Sequence, residues 1–176
     1  DYKNQIKKFP KHKIIFLLNT PEEFRYFKSK GINCRFINHN AFVDPNIFKP
    51  INCKKEYDII YNGRLEILKR HYLLKSCKNI SLLSASVLRS DHSKIKYLNF
   101  LKKIIPNAEI LNFDFPKKLS QLSSFEDIPI LDPREVSSAI NKARIGVILS
   151  YKEGACYASM EYLLSGIPIV STANIG

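Results

Sequence analysis

From residue 57 onward, short apolar runs alternate with segments that carry helix-start and helix-stop signals. The runs cover 58–62, 80–85, 108–113, 145–150 and 167–171. Several are apolar at successive positions rather than at every second one. A strand of that kind has to be covered on both faces. Crossover helices do this, whereas a hairpin sheet leaves one face to water. The pattern predicts an α/β fold, a Rossmann-like doubly wound parallel sheet between two layers of helices. Ligands of such sheets bind at the carboxyl ends of the strands, near the point where strand order reverses. Two predicted strand ends are chemically loaded: Gly63-Arg64, and the stretch 150–154.

Helices are expected over 69–77, 93–105, 132–143 and 156–165. Asp132 is the N-cap of the third, with Pro133 at its first position, and Gly166 closes the fourth. Residues 128–131 read as a short strand, and 120–127 carry no strong signal. Ahead of the main alternation, 13–19 is strand-like. Thr20-Pro21-Glu22-Glu23 then opens a helix that ends at Gly31, and 34–38 is a second strand. Residues 40–50 are irregular and hold Pro45 and Pro50. The chain therefore divides into a first α/β piece (1–39), a linker (40–56) and the main unit (57–176).

No apolar run approaches the roughly 18–20 residues of a membrane span. The polar start is not a signal peptide and lacks an initiator Met, and the last residues read as loop. We expect a piece of a longer protein. The formal net charge is +12, which attracts polyanions. Lys, Ile and Asn are spread along the whole chain, so a general compositional bias accounts for much of this charge. Its specific use would be peripheral contact with an anionic membrane surface. RNP-type aromatics and a Cys/His finger are both missing, so no nucleic acid partner is expected. Cys34, Cys53, Cys77 and Cys156 show no zinc-type spacing and suit free thiols in a reducing cytoplasm. The histidines His12, His39, His71 and His92 form no metal motif, and neither GxGxxG nor a P-loop is present.

The chemistry concentrates in Glu153-Gly154-Ala155-Cys156-Tyr157-Ala158-Ser159-Met160-Glu161. Eight residues are slightly more than two helical turns. Glu153 then sits in the loop before a helix, and Glu161 projects from its second turn. Gly154 and the small Ala155 let a ligand approach the backbone, and the helix start favours negative charge. Paired glutamates at this spacing are common by chance. The wider string is more specific: strand, Glu-Gly-small, helix, Glu, then Gly166-Ile167-Pro168 and a strand. This string resembles the signature of family-4 retaining glycosyltransferases, relatives of glycogen and sucrose synthases. Ala155 and Cys156 stand where that family has Phe-Gly. Gly63-Arg64-Leu65-Glu66-Ile67-Leu68-Lys69 is similar to the family's Gly-Arg-Leu-x-x-x-Lys, with Arg70 in place of a common glycine. Asn40-Ala41-Phe42-Val43-Asp44 with Phe48-Lys49-Pro50 resembles its interdomain segment, with one residue inserted before Val43. Asp132-Pro133-Arg134-Glu135 with Asn141-Lys142-Ala143-Arg144 resembles the helix that precedes the glutamate strand.

The resemblance implies the C-terminal donor-binding domain of a GT-B fold, incomplete at its end. Residues 1–39 would be the tail of the N-terminal, acceptor-binding domain. It implies a retaining transfer of a sugar from a nucleoside-diphosphate sugar to an acceptor hydroxyl, in cell-surface polysaccharide or glycolipid synthesis. Glu153, Arg64 and Lys69 would be catalytic, the two cations holding the diphosphate. The donor would lie on Gly63, Arg64, Lys69, Gly154, Ala155, Cys156 and Tyr157. Glu161 would accept from the ribose hydroxyls, and Ile130 and Leu131 would pack on the base. The expected partners are that donor and an acceptor sugar or lipid-linked sugar, with no cofactor and no metal. The expected location is the cytoplasm, including the inner membrane face. The rival readings are an epimerase or phosphorylase on the same scaffold, and a non-catalytic module that binds anions or membrane. The isolated chain is expected to be inactive.

Overall fold

The computed structural model describes residues 2–84, 92–112 and 130–173. Its main sheet has five strands: β3 (Tyr57–Asn62), β4 (Ile80–Leu83), β5 (Glu109–Ile110), β6 (Ala143–Ile148) and β7 (Ile169–Ser171). All pair in parallel, in the spatial order β5-β4-β3-β6-β7. The first strand in sequence is thus the central one, and strand order reverses between β3 and β6. That is the doubly wound arrangement, with its crevice at the carboxyl ends of these two strands.

Alternate residues of β3 feed two cores. Ile59 and Tyr61 join Leu82, Val147 and Leu149 under α3 (His92–Ile104), which contributes Leu98 and Leu101. Ile60 faces the other way, toward Ile140 of α4 (Pro133–Asn141) and Tyr162 of α5 (Tyr157–Leu164). Covering both faces is what the continuous apolar runs require. Among the described residues no helix is long and apolar enough to cross a membrane, and all four cysteines are free.

The local signals behave as their chemistry dictates. Asp132 and Glu135 cap each other's backbone N–H groups in a reciprocal capping box that starts α4. Gly166 adopts φ +73°, and the N–H of Ile167 reaches back to the Tyr162 carbonyl, ending α5 in a Schellman turn. Gly31 ends α2 (Pro21–Ser29) in the same way, at φ +69°. The strands β1 (Phe16–Leu18) and β2 (Cys34–Phe36) flank α2 and form a separate two-stranded parallel sheet.

Several expectations need correction. The helix expected over 69–77 is two short 3-10 turns, Ile67–Lys69 and His71–Leu74, split by Arg70 at φ 51°. The Tyr61 hydroxyl donates to the Lys69 carbonyl at 2.7 Å, and the Arg70 guanidinium is drawn to carbonyls beyond β6. A continuous helix would turn both groups away. Ile130 and Leu131 form no strand, and the rest of that expected strand lies outside the described residues. So do residue 85, residue 113 and the stretch 120–127. A short helix, α1 (Tyr2–Lys8), was not anticipated. The strand expected over 145–150 begins at Ala143, directly after α4.

The linker is fastened to the main unit. Phe48 is buried beside Ile140 and Ile167. The buried Asn141 side chain accepts from the Ile51 N–H at 2.8 Å and donates to the Lys49 carbonyl at 3.0 Å. Its own carbonyl accepts from Lys55 at 2.7 Å. Ser137 donates to the Ile47 carbonyl at 2.9 Å.

Candidate functional site

Where β3 and β6 end side by side, the chain brings two carboxylates to one crevice. Tyr61, at the end of β3, is fully buried, and burial pushes its phenol up to about 12. It therefore stays a neutral donor. It binds the Lys69 carbonyl and meets the Ser150 hydroxyl at 3.2 Å, so it joins the turn after β3 to the loop after β6. The Tyr151 N–H adds a bond to the Leu68 carbonyl at 2.9 Å. Across this seam the Lys69 ammonium pairs with Oε1 of Glu153. Only 20% of one side chain and 12% of the other are exposed.

The second carboxylate is held from β3. The Asn62 amide donates to Oε2 of Glu161 at 2.8 Å. Burial raises the Glu161 carboxyl above its ordinary range, and the Asn62 bond works against that rise. Asn62 is fixed in turn by Tyr162, whose hydroxyl accepts the Asn62 backbone N–H at 2.7 Å. Tyr162 can lie across the sheet because β6 has Gly146 beneath its ring: a Cβ there would sit 2.5 Å from the Tyr162 Cγ. One strand end thus orients Glu161 through two side chains that no motif marks.

Between the carboxylates runs the start of α5. Cys156 is its N-cap and supplies no side-chain cap. The first-turn N–H groups of a helix have no intrahelical acceptor, and the dipole there favours an anion. Space where a side chain on Gly154 would project is open. Burial pushes the Cys156 thiol up, so it stays uncharged in this position. Among the described residues no group of three or more His, Cys, Asp or Glu side chains is arranged to hold a metal ion.

Two cavities flank this helix start. One, of about 340 Å³, is walled by Leu131, Val136, Phe42 and Tyr157 and floored by Asn62 and Glu161. A smaller space of about 110 Å³ continues from it past Asn62 to Ser84 and Asn112. The other, about 480 Å³, lies between Glu153, Gly154 and Cys156 on one side and Asn19, Asn38 and Asn40 on the other.

The structure brings Lys69, Glu153, Gly154, Ala155 and Cys156 together, and it gathers Leu131, Tyr157 and Glu161 around the neighbouring cavity. Gly63 directly follows β3, its N–H bonded to the Leu83 carbonyl. Arg64 is turned away: its side chain is 72% exposed and meets Glu66 at 3.5 Å. Ile130 is 84% exposed, so Leu131 supplies the apolar wall. Arg70 is not a cation free to meet a ligand. Its guanidinium binds the Leu149 carbonyl at 2.5 Å, the Ser150 carbonyl at 3.1 Å and the Thr172 hydroxyl at 2.5 Å. Its backbone is left-handed, φ 51°, a conformation that glycine adopts without the strain it imposes on arginine. Sequence reasoning missed Asn62, Tyr61 and Tyr162. The one signal for Asn62 was a polar residue closing an apolar strand.

Neither a protein-family model nor a curated protein sequence matches this chain. Solved structures match it in fold. Sucrose-phosphate synthase from Thermosynechococcus elongatus superposes with a TM-score of 0.66 at 15% identity, covering 92% of this chain and 41% of that one. A glycosyltransferase of avilamycin A biosynthesis gives 0.52 at 15%, covering 76% and 37%. The apo form of WaaB, a lipopolysaccharide outer core galactosyltransferase, gives 0.50 at 15%, covering 91% and 43%. The chain thus spans about two fifths of the length of these structures. At such identities the likeness is one of architecture: the chain has the Rossmann-like α/β fold found in GT-B glycosyltransferases.

Proposed function

We propose that this chain is the donor-binding part of a retaining, family-4-like glycosyltransferase. Such an enzyme moves a sugar from a nucleoside-diphosphate donor to an acceptor hydroxyl. The observation that carries this reading is the double pairing at one crevice. Lys69 holds Glu153 just before α5, while Asn62 holds Glu161 within it.

The donor would lie across the start of α5. Its diphosphate would meet the first-turn N–H groups and Lys69, whose ammonium has three donors and can keep Glu153 while binding phosphate oxygens. Arg64 would swing in from solvent. An exposed pair like Arg64–Glu66 is worth about 0–1 kcal/mol, so leaving it costs little. These charges would stabilise the diphosphate as it departs. Glu153 would bind the transferred sugar. Glu161 would accept from the ribose through the oxygen that Asn62 leaves uncommitted, with the base against Leu131 and Val136. No metal is assigned a part. The same reading assigns the enzyme to cell-surface polysaccharide or glycolipid synthesis on the cytoplasmic side. There its +12 charge would favour an anionic membrane face.

The test is thermal stabilisation by UDP-, GDP- and ADP-sugars. A bound donor at about 100 times its Kd adds roughly 2.7 kcal/mol. One nucleotide class should stabilise the chain, and Lys69→Ala should abolish the effect. In a protein that carries both halves, Lys69→Ala and Arg64→Ala should cut turnover by orders of magnitude without unfolding it. Wild-type rates in both would sink the reading.

A further inference from the structure

The helices on the two faces of the main sheet differ in charge. On one face α3 carries Lys94, Lys96, Lys102 and Lys103 and no acid. On the other, α4 and α5 set Arg134 against Glu135 and Glu161. The turns packed beside α3 belong to residues 67–78, which contain no acid either. Besides Lys69 and Arg70, already engaged, they add the exposed Lys75 and Lys78. Glu56 and Asp58 lie at the opposite, amino end of the sheet, each against a cation. A bias of composition alone would spread the positive charge evenly, and here it gathers on the α3 side.

Between α3 and the turn after β3 lies a groove of about 710 Å³. Its floor is the buried Leu65, and Ile67, Leu68, Tyr97 and Phe100 wall it. Two of its polar groups are already engaged: the Tyr97 hydroxyl meets His71 at 3.2 Å, and Glu66 lies 3.5 Å from Arg64. Ile67, Leu68 and Phe100 are nevertheless exposed. Lys96, Phe100 and Lys103 stand at i, i+4 and i+7 of α3, so they share one helix face, and all three are exposed. An apolar patch flanked by lysines matches the boundary of an anionic bilayer, phosphates outside and hydrocarbon within. A soluble anion would leave the apolar side chains in water. A second copy of the chain would set the same cations against these.

We propose that this face seats the chain on an anionic lipid bilayer. Ile67, Leu68 and Phe100 enter the acyl boundary, while Lys96 and Lys103 meet lipid phosphates. This rests on the proposed work at an anionic membrane face and gives that contact a place. The place is on the donor-binding part itself, where Leu68 is next in sequence to Lys69.

The chain contains no Trp, so Phe100→Trp introduces a single fluorescent reporter. With vesicles of phosphatidylglycerol and phosphatidylcholine in equal parts, its emission should shift to the blue and be quenched by brominated acyl chains. Phosphatidylcholine alone should give neither effect. Tyr26→Trp, at an exposed position of α2, should not be quenched. Each lysine at an anionic surface is worth roughly a fivefold change in partitioning. Lys96→Ala with Lys103→Ala should therefore weaken sedimentation with the mixed vesicles by at least about tenfold, the fold being intact by circular dichroism. Lys11→Ala with Lys13→Ala removes equal charge ahead of β1 and should change it less than about twofold. Absence of quenching in Phe100→Trp, or equal losses in the two double variants, overturns the proposal. So does an equal emission shift with polyglutamate, which would assign the face to an acidic protein, or a dimer that Phe100→Ser dissolves, which would assign it to a second copy. Thermal stabilisation by the nucleoside diphosphate is measured on the same proteins. It should survive the loss of Lys96 and Lys103; its loss there would mean that these lysines serve the nucleotide and not the lipid. Its absence from the wild type would count against the donor reading and leave the membrane contact standing.

Discussion

The ring of Tyr162 occupies the space that a side chain on Gly146 would need. The strand has given up a side chain so that an aromatic from α5 can cross the sheet and grip the backbone of Asn62. Gly146→Ala should therefore act as overpacking, costing about 1–3 kcal/mol. Tyr162→Phe keeps the ring and leaves the Asn62 N–H without its partner, a loss of about 1–3 kcal/mol. Chemical denaturation should show both losses. Nucleotide affinity should fall in both as well, because Glu161 hangs from Asn62. Unchanged affinity in a folded Tyr162→Phe protein would break that link.

Glu161→Ala removes the carboxylate that the ribose would use. One or two hydrogen bonds to a charged group are worth about 1.5–3 kcal/mol each, so titration calorimetry should record affinity for the nucleoside diphosphate at least tenfold weaker. Asn62→Ala should give a smaller decrease, since it frees Glu161 without deleting it. Equal affinity in all three proteins would contradict the ribose role.

Arg70→Gly sets two effects against each other. Glycine relieves a left-handed backbone that costs an ordinary residue about 1–2 kcal/mol. It also deletes a guanidinium with three acceptors, each charge-assisted bond being worth about 1.5–3 kcal/mol. The bonds win, and the variant should be less stable by a few kcal/mol. Hydrogen exchange should quicken along residues 149–151, which Arg70 holds. A variant more stable than the wild type would mean that the backbone strain dominates.

His71 is completely buried between Tyr61 and Tyr97. Burial, and then the charge of Lys69, lower its imidazole from about 6.5 to about 3. The unfolded chain takes up a proton below about pH 6.5 that the folded chain refuses. Stability from this group is fully present above that pH. It is lost as pH falls, by up to about 1.4 kcal/mol per unit until the folded value near 3 is passed. Urea midpoints between pH 7 and 5 should fall accordingly, and His71→Gln should flatten the slope. An equal slope in the variant would assign the effect to other groups.

The parallel sheet was legible because burial on both faces leaves a mark on composition: residues such as Ile59, Ile60, Val147 and Ile148 follow one another without polar alternation. Helix starts at Thr20 and Asp132 and stops at Gly31 and Gly166 were legible because capping is local chemistry. The 3-10 turns around Arg70 were not. Nothing local forbids a helix there, and its form is set by bonds to the loop after β6, some 80 residues away in sequence. At the site, Lys69, Glu153 and Glu161 were marked by spacing. Asn62 and Tyr162 were not, since their roles come from two strands and a helix meeting in space. Arg64 shows the converse, a marked residue whose side chain points to solvent.

The fastening of residues 47–55 by Asn141 and Ser137 bears on how the cleft could move. His39 is bound to Asn19 and Leu17 and so belongs to the first small sheet. Val43, Ile47 and Phe48 already pack on the main unit. The linker is therefore fastened to the main unit from Val43 onward, and the turn just before it, His39–Phe42, also lies against α5. Any shift of the small sheet against the main unit would have to break these contacts too, so residues 39–42 act as a clasp between the two sheets and not as a free joint.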